Sequence, residues 1–139
     1  MQVRIGLLLA VFFALILTGC SAGETTGSPE GVLDGQALFQ ETLINQSPGC
    51  VTCHSLEPGV TLVGPSMAGV ASRAETIVNS PDYTGDAQMA EGYLREAIVE
   101  PDAYVPEGFV AGTMYQNYAS SLSNEQIDAL VDYMLTLEE

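Results

Sequence analysis

The sequence predicts an all-α domain, and three of its features do so. After Ser123, the residues Ile127, Leu130, Val131, Met134 and Leu137 fall at i, i+3, i+4, i+7 and i+10, an apolar stripe of helical period. An earlier segment, Ala87 to Val99, carries Met89, Tyr93, Leu94, Ala97 and Ile98 at helical spacing. Nowhere do apolar and polar residues alternate over a useful strand length.

The first element is a leader. Arg4 precedes an unbroken apolar run from Ile5 to Leu17, which ends in Leu17-Thr18-Gly19-Cys20. A positive start, an apolar segment and small residues at a cleavage point describe an export signal. The run is shorter than the roughly 20 residues a membrane span needs. Its ending resembles a bacterial lipobox, so residues 1–19 are expected to be a lipoprotein signal peptide and Cys20 the lipidated first residue of the mature chain. That predicts a membrane-anchored, extracytoplasmic protein, in the periplasm or on the outer face of the cytoplasmic membrane. An uncleaved anchor and a plain secretory signal are the competing readings. Residues 20–31 lack apolar periodicity and read as a flexible tether.

Residues 32–139 are then the folded part, enough for one domain with a modest core. A first helix is expected from Leu33 to Ile44, with Leu33, Ala37 and Leu38 or Phe39 inward. A Gly- and Pro-rich stretch follows from Ser47 to Gly69. The helix at Ala87–Val99 has Asp86 as its expected cap and Pro101 as its stop. In the last helix Ser123 and Gln126 have capping-box spacing, and Leu122 and Ile127 can form a hydrophobic staple.

Eighteen acidic residues against three basic ones give a formal charge of −15, with no Lys among them. Removing Arg4 with the leader brings the mature chain near −16. Such a chain will not bind nucleic acid through phosphate contacts, which need Lys and Arg. Its complement is a basic surface on a partner protein.

The chemistry lies in Cys50-Val51-Thr52-Cys53-His54, the C-x-x-C-H spacing of haem attachment. Two thiols three positions apart can each add to a vinyl group of one porphyrin, and the next residue, His54, can then bind the iron. A thioredoxin-like redox pair would want a βαβ context, which the pattern lacks. A structural zinc site wants four Cys or His ligands, and with Cys20 lipidated only Cys50, Cys53 and His54 remain. A disulfide between the two Cys would leave His54 without a role.

His54 is the only His, so the second iron ligand is expected to be the thioether of a Met. Met134 and Met89 fall on apolar helical stripes and read as core. Met67 lies only 13 residues past His54, a short path to the other side of a porphyrin. Met114 lies 60 residues downstream in an irregular segment between helices, and is the expected ligand.

These residues resemble the class I monohaem cytochrome c family over about Val32 to Leu137. Gly35 and Phe39 resemble its first-helix pair, which packs across Tyr133 in the last helix. Gly64-Pro65 resembles the turn whose Pro carbonyl accepts a hydrogen bond from the proximal His, which puts Pro65 among the haem-binding residues. The run Tyr93-Leu94-Arg95-Glu96-Ala97-Ile98-Val99-Glu100-Pro101, with Gly108-Phe109 and Met114, is similar to haem domains of some cytochrome oxidase subunits II and to the monohaem cytochrome of alternative complex III. The resemblance departs at one point: the family usually has Pro after the ligand Met, and here Tyr115 follows. The Cys-x-x-x-Cys copper motif of a complete subunit II is also missing.

The resemblance implies one covalent haem c and one-electron transfer, as a free shuttle or as a subunit of a respiratory or photosynthetic complex. Tyr side chains and Arg73 are candidates for the haem propionates. The rivals are a peroxidase-like haem enzyme with an open iron and a haem-based sensor. The first would need Met114 off the iron and a polar residue to act there; the second would need a further domain to carry the signal.

Overall fold

The computed structural model describes residues 32–138, so the leader, Cys20 and the tether lie outside the described residues. Five helices, α1 (Gly35–Gln40), α2 (Val70–Val78), α3 (Ala90–Val99), α4 (Tyr118–Ser121) and α5 (Asn124–Leu135), carry the fold. A single short hairpin, β1 (Leu43–Ile44) and β2 (Ser47–Pro48), is inserted after α1. Among the described residues no helix is long and apolar enough to cross a membrane.

Helix α1 starts where the Asp34 carboxylate accepts hydrogen bonds from the backbone N–H groups of Gln36 and Ala37, at 3.0 and 3.1 Å. It ends at Gln40, four residues short of the expected limit. The cause is the hairpin: Asn45 and Gln46 both take positive φ, 49° and 71°, as a two-residue turn joining antiparallel strands requires. The inward residues are Gly35 and Phe39; Leu33 and Ala37 are exposed, contrary to expectation.

Helix α2, an element beyond the sequence-based expectations, starts at a left-handed Gly69 without a side-chain cap. Helix α3 begins at Ala90, because Met89 is extended (φ −151°, ψ 162°) and sits at the cap position. Asp86 therefore does not cap it, and Met89 is 60% exposed rather than part of the core. The capping box of α5 is present as expected, with Gln126 N–H to Ser123 Oγ at 3.2 Å and Ser123 N–H to Gln126 Oε1 at 3.0 Å. Leu122 and Ile127 of the staple are both buried. The Gln126 carboxamide also accepts from Asn45 Nδ2 at 2.7 Å, which ties the hairpin turn to the start of α5.

Helix α5 is the hub, packing on α1, α3 and α2. A Cβ on Gly35 would lie 1.8 Å from the Ala129 carbonyl oxygen and 2.9 Å from Tyr133 Cβ, so α1 can cross α5 this closely only with Gly there. One turn on, Phe39 tilts against Tyr133 with ring centroids 5.6 Å apart. Arg95 of α3 pairs with Asp128 of α5 on the surface, a contact worth at most about 1 kcal/mol. The apolar cluster of Phe39, Leu94, Ile98, Ile127, Leu130 and Val131 is the larger source of stability.

Candidate functional site

The C-x-x-C-H run is folded as a 3-10 turn over Cys50–Thr52, in which the Cys50 carbonyl accepts from the N–H groups of Cys53 and His54, at 3.1 and 3.0 Å. Residues three apart eclipse in this geometry, so Cys50 and Cys53 stand on one side of the turn. Thr52 Oγ1 donates to the Gly49 carbonyl at 2.6 Å and steadies it. Both thiols are free and half-buried. Burial, reinforced by the nearby Cys53 and opposed by a backbone hydrogen bond, pushes the Cys50 thiol up to about 11. A depressed value favours a reactive thiolate, and burial acts in the opposite direction at Cys50.

His54 follows directly and is buried. Its Nδ1 lies 2.9 Å from the Pro65 carbonyl oxygen. A carbonyl only accepts, so Nδ1 carries the proton and Nε2 keeps a lone pair. Burial lowers the affinity of the ring for a second proton, against the pull of the Pro65 carbonyl, and a neutral ring is the ligating form. The approach is close: a Cβ on Gly64 would lie 2.4 Å from His54 Cε1 and 2.8 Å from Nδ1. The Gly64 N–H in turn donates to the Cys53 carbonyl at 2.9 Å. A residue with no side chain, followed by one with a free carbonyl, is what this cradle needs.

Cys50, Cys53, His54, Pro65 and Met114 all line one cavity of about 620 Å³, within the range of small-molecule and cofactor sites. Its other walls come from α2, α3, the 101–117 loop and Tyr118 of α4 and are mostly apolar. Met67 and Met134 line it too, whereas Met89 does not. The Met67 N–H donates to the Ser55 carbonyl at 2.7 Å, so its backbone lies beside the segment that carries His54. Met134 is buried in α5 and belongs to the core cluster. Met114 is half-buried and comes from the separate 101–117 loop. Among the described residues no three His, Cys, Asp or Glu side chains cluster as a metal site, so the donors suited to iron are the imidazole of His54 and these thioethers. Two thiols beside a neutral imidazole, under an apolar cavity with a soft sulfur on another wall, fit a covalently held porphyrin.

Arg73 lines the cavity, but its guanidinium is engaged by the Ser66 and Ala68 carbonyls and fastens the loop before α2. Tyr93 and Tyr104 line the cavity as well and meet edge to face, 6.2 Å apart, with Tyr83 against both. Two further long-range contacts shape the site without a signal in the local sequence pattern. The Tyr118 hydroxyl donates to the Pro48 carbonyl at 2.7 Å and holds α4 to the strand preceding Cys50. The Asp102 carboxylate accepts from Gly112 N–H at 2.9 Å.

The chain is 28% identical over 99 residues to cytochrome c2 iso-1 of Magnetospirillum fulvum, covering 70% of this chain and 96% of that protein. It is 29% identical over 94 residues to cytochrome c2 iso-2 of Magnetospirillum molischianum, covering 64% of this chain and 91% of that one. No solved structure matches it at the stringency these two relatives meet. The family description for cytochrome c matches residues 32–138. The chain therefore belongs to the cytochrome c family, and is an electron carrier with one covalently bound haem c rather than an enzyme.

Proposed function

We propose that this chain is a membrane-tethered electron carrier in which Cys50 and Cys53 hold the porphyrin, His54 and Met114 bind the iron, and Cys20 bears the lipid anchor. The observation that carries the haem-site reading is the convergence of Cys50, Cys53, His54 and Met114 on one apolar cavity, with His54 Nδ1 engaged by the Pro65 carbonyl. When bound, haem c supplies a one-electron iron couple. The chain supplies the rest. Gly64 and Pro65 fix the ring plane and tautomer of His54, and a thioether ligand favours the reduced iron. The apolar walls exclude water, which lowers the local dielectric around the site.

The tether reading rests on Leu17-Thr18-Gly19-Cys20 after the apolar leader, and it places the domain outside the cytoplasm on a membrane surface. The partners are redox proteins with a basic docking face. The carrier works either as a free shuttle or as a subunit of a larger respiratory or photosynthetic complex, to whose haem domains the run from Tyr93 to Pro101, with Gly108-Phe109, is similar.

The ligand assignment is tested on the oxidised protein by the weak near-infrared band of iron–thioether charge transfer. Wild type should have it and Met114→Ala should lose it while keeping its covalent haem. Met67→Leu and Met134→Leu, nearly volume-conserving, should retain it. Loss in Met67→Leu alone moves the ligand to Met67. Cys20→Ala should leave haem attachment intact but change processing and membrane retention; an unmodified mature terminus cut elsewhere, seen by mass spectrometry, rejects the anchor.

A further inference from the structure

The 105–117 loop carries Met114 without the proline that usually follows the ligand in this family, so something else must hold it. The loop is built from two successive turns, Phe109 N–H to the Pro106 carbonyl at 3.2 Å and Thr113 N–H to the Val110 carbonyl at 3.3 Å. The third residue of each is a positive-φ glycine, Gly108 at 89° and Gly112 at 76°. Neither glycine would meet another atom with an added Cβ, so both serve the turn and neither packs against a neighbour. Backbone turns joined by glycines are compliant by themselves.

One side chain from outside these turns reaches across them. Asp102 lies just beyond α3, after the buried Pro101. Its Oδ1 accepts from the Gly112 N–H at 2.9 Å and from Gln116 Nε2 at 3.3 Å. The same Gln116 nitrogen donates to the Met114 carbonyl at 2.9 Å. One carboxylate oxygen thus holds the chain two residues before Met114 and, through Gln116, the backbone of Met114 itself. Both bonds are accepted by a carboxylate at the surface, and the one from Gly112 has the length of a charge-assisted hydrogen bond. The other flank is held apolarly, by Tyr115 edge-on to Tyr118 at 4.9 Å.

We propose that Asp102 is the positioning residue of the Met114 loop, taking the place of the missing proline by clamping the backbone on both sides of the thioether. This deepens the proposed function and rests on Met114 being the iron ligand. Asp102 does not touch the iron; it sets how often the thioether is displaced from it.

The test is competition by imidazole for the iron of the full, haem-bearing protein, read with the near-infrared band. Asp102→Ala should raise the imidazole binding constant by about 10- to 100-fold, the usual cost of removing a group that supports a ligand, and weaken the band. Asp102→Asn retains an acceptor oxygen and should restore most of both. Gln116→Leu should raise the constant as well, which keeps the idea testable if Asp102→Ala folds poorly. Glu107→Gln removes an equal charge from the same loop and should change nothing, separating the clamp from a general charge effect. A band lost in Met114→Ala but unchanged in Asp102→Ala and Gln116→Leu, with unaltered imidazole binding, overturns the clamp and leaves the ligand standing. A wild type without the band overturns the ligand assignment, and the clamp with it.

Discussion

Gly64 lies so close to His54 that the smallest side chain would put its Cβ 2.4 Å from the imidazole Cε1. The same pair of residues, Gly64 and Pro65, supplies the carbonyl 2.9 Å from Nδ1. The ring is therefore held from its edge and from its face by a two-residue turn, before any iron is considered.

Gly64→Ala should accordingly displace the ring. Overpacking of this kind costs about 1–3 kcal/mol, and the Nδ1–H bond to Pro65 would be stretched or lost. Covalent haem should persist, because Cys50 and Cys53 are untouched. The iron–imidazole stretching frequency should fall, since the donated hydrogen bond is what makes the ring a stronger ligand. Resonance Raman spectroscopy checks this on the reduced protein in the Met114→Ala background, where the iron keeps only the imidazole; a frequency unchanged by adding Gly64→Ala would mean that the turn does not set the ligand.

At the other end of the fold, Gly35→Ala should separate α1 from α5. The added methyl would lie 1.8 Å from a backbone oxygen of Ala129, an atom that no side-chain rotation can move aside. Phe39, 1% exposed and packed on Tyr133, would lose part of its contact in the same step. Complete truncation by Phe39→Ala should cost about 3–5 kcal/mol. Denaturant unfolding should place Gly35→Ala at or beyond the loss expected from overpacking alone, about 1–3 kcal/mol, with the two losses less than additive in the double variant because the sites share one contact.

Alkaline pH should expose a second source of stability. The Tyr83 hydroxyl donates to the Glu96 carboxylate and accepts from Ala87 N–H at 3.1 Å. Burial first, and then the Glu96 carboxylate, raise its pKa from the ordinary 10 to about 12. Between those values the unfolded chain has released the proton and the folded chain still holds it. The folded state then binds more protons, so stability falls as pH rises. The contribution is complete below pH 10 and is lost as pH passes about 12. Denaturant midpoints between pH 9 and 11.5 should decline in wild type and decline less steeply in Tyr83→Phe. Tyr93, also raised to about 12 by burial first, keeps the slope from vanishing. Parallel slopes in the two proteins would reject the assignment.

The parts of this site that were legible in the sequence are those whose physics is local. C-x-x-C-H specifies its own spacing, and Ser123 with Gln126 specifies a helix start, because each acts within a turn of chain. The end of α1 was not legible, since the hairpin turn at Asn45-Gln46 has no glycine and only the positive φ of both residues reveals it. Helix α2 does carry Val70, Ala71, Ala74, Ile77 and Val78 at helical spacing, but its glycine start gives no capping signal. Met89 kept the apolar spacing of α3 and yet lies outside, because periodicity does not say where a helix begins. The clamp from Asp102 to Gly112 and Gln116 spans 10 and 14 residues through folded space, and no spacing rule anticipates it.

Encounter with the redox partner should be governed by charge. The 18 acidic and three basic residues of the whole chain, less Arg4 if the leader is removed, leave a mature charge near −16. The two cations among the described residues are already engaged, Arg95 by Asp128 and Arg73 by the carbonyls of Ser66 and Ala68. Both cations are already counted in that net charge, which leaves the field strongly negative, so a basic partner face should be drawn in from solution. Steering of this kind raises association rates by about 10- to 1,000-fold. It acts over a screening length of about 8 Å at physiological ionic strength, and of roughly 3 Å at 1 M. The second-order rate of electron exchange with a basic redox protein should therefore fall steeply between low and high salt. Exchange with an acidic partner should be slow at low salt and speed up as salt is added. Stopped-flow measurement of haem oxidation across that range distinguishes the cases. A rate to the physiological partner that is flat in salt would reject diffusional steering and favour a carrier already seated in its complex.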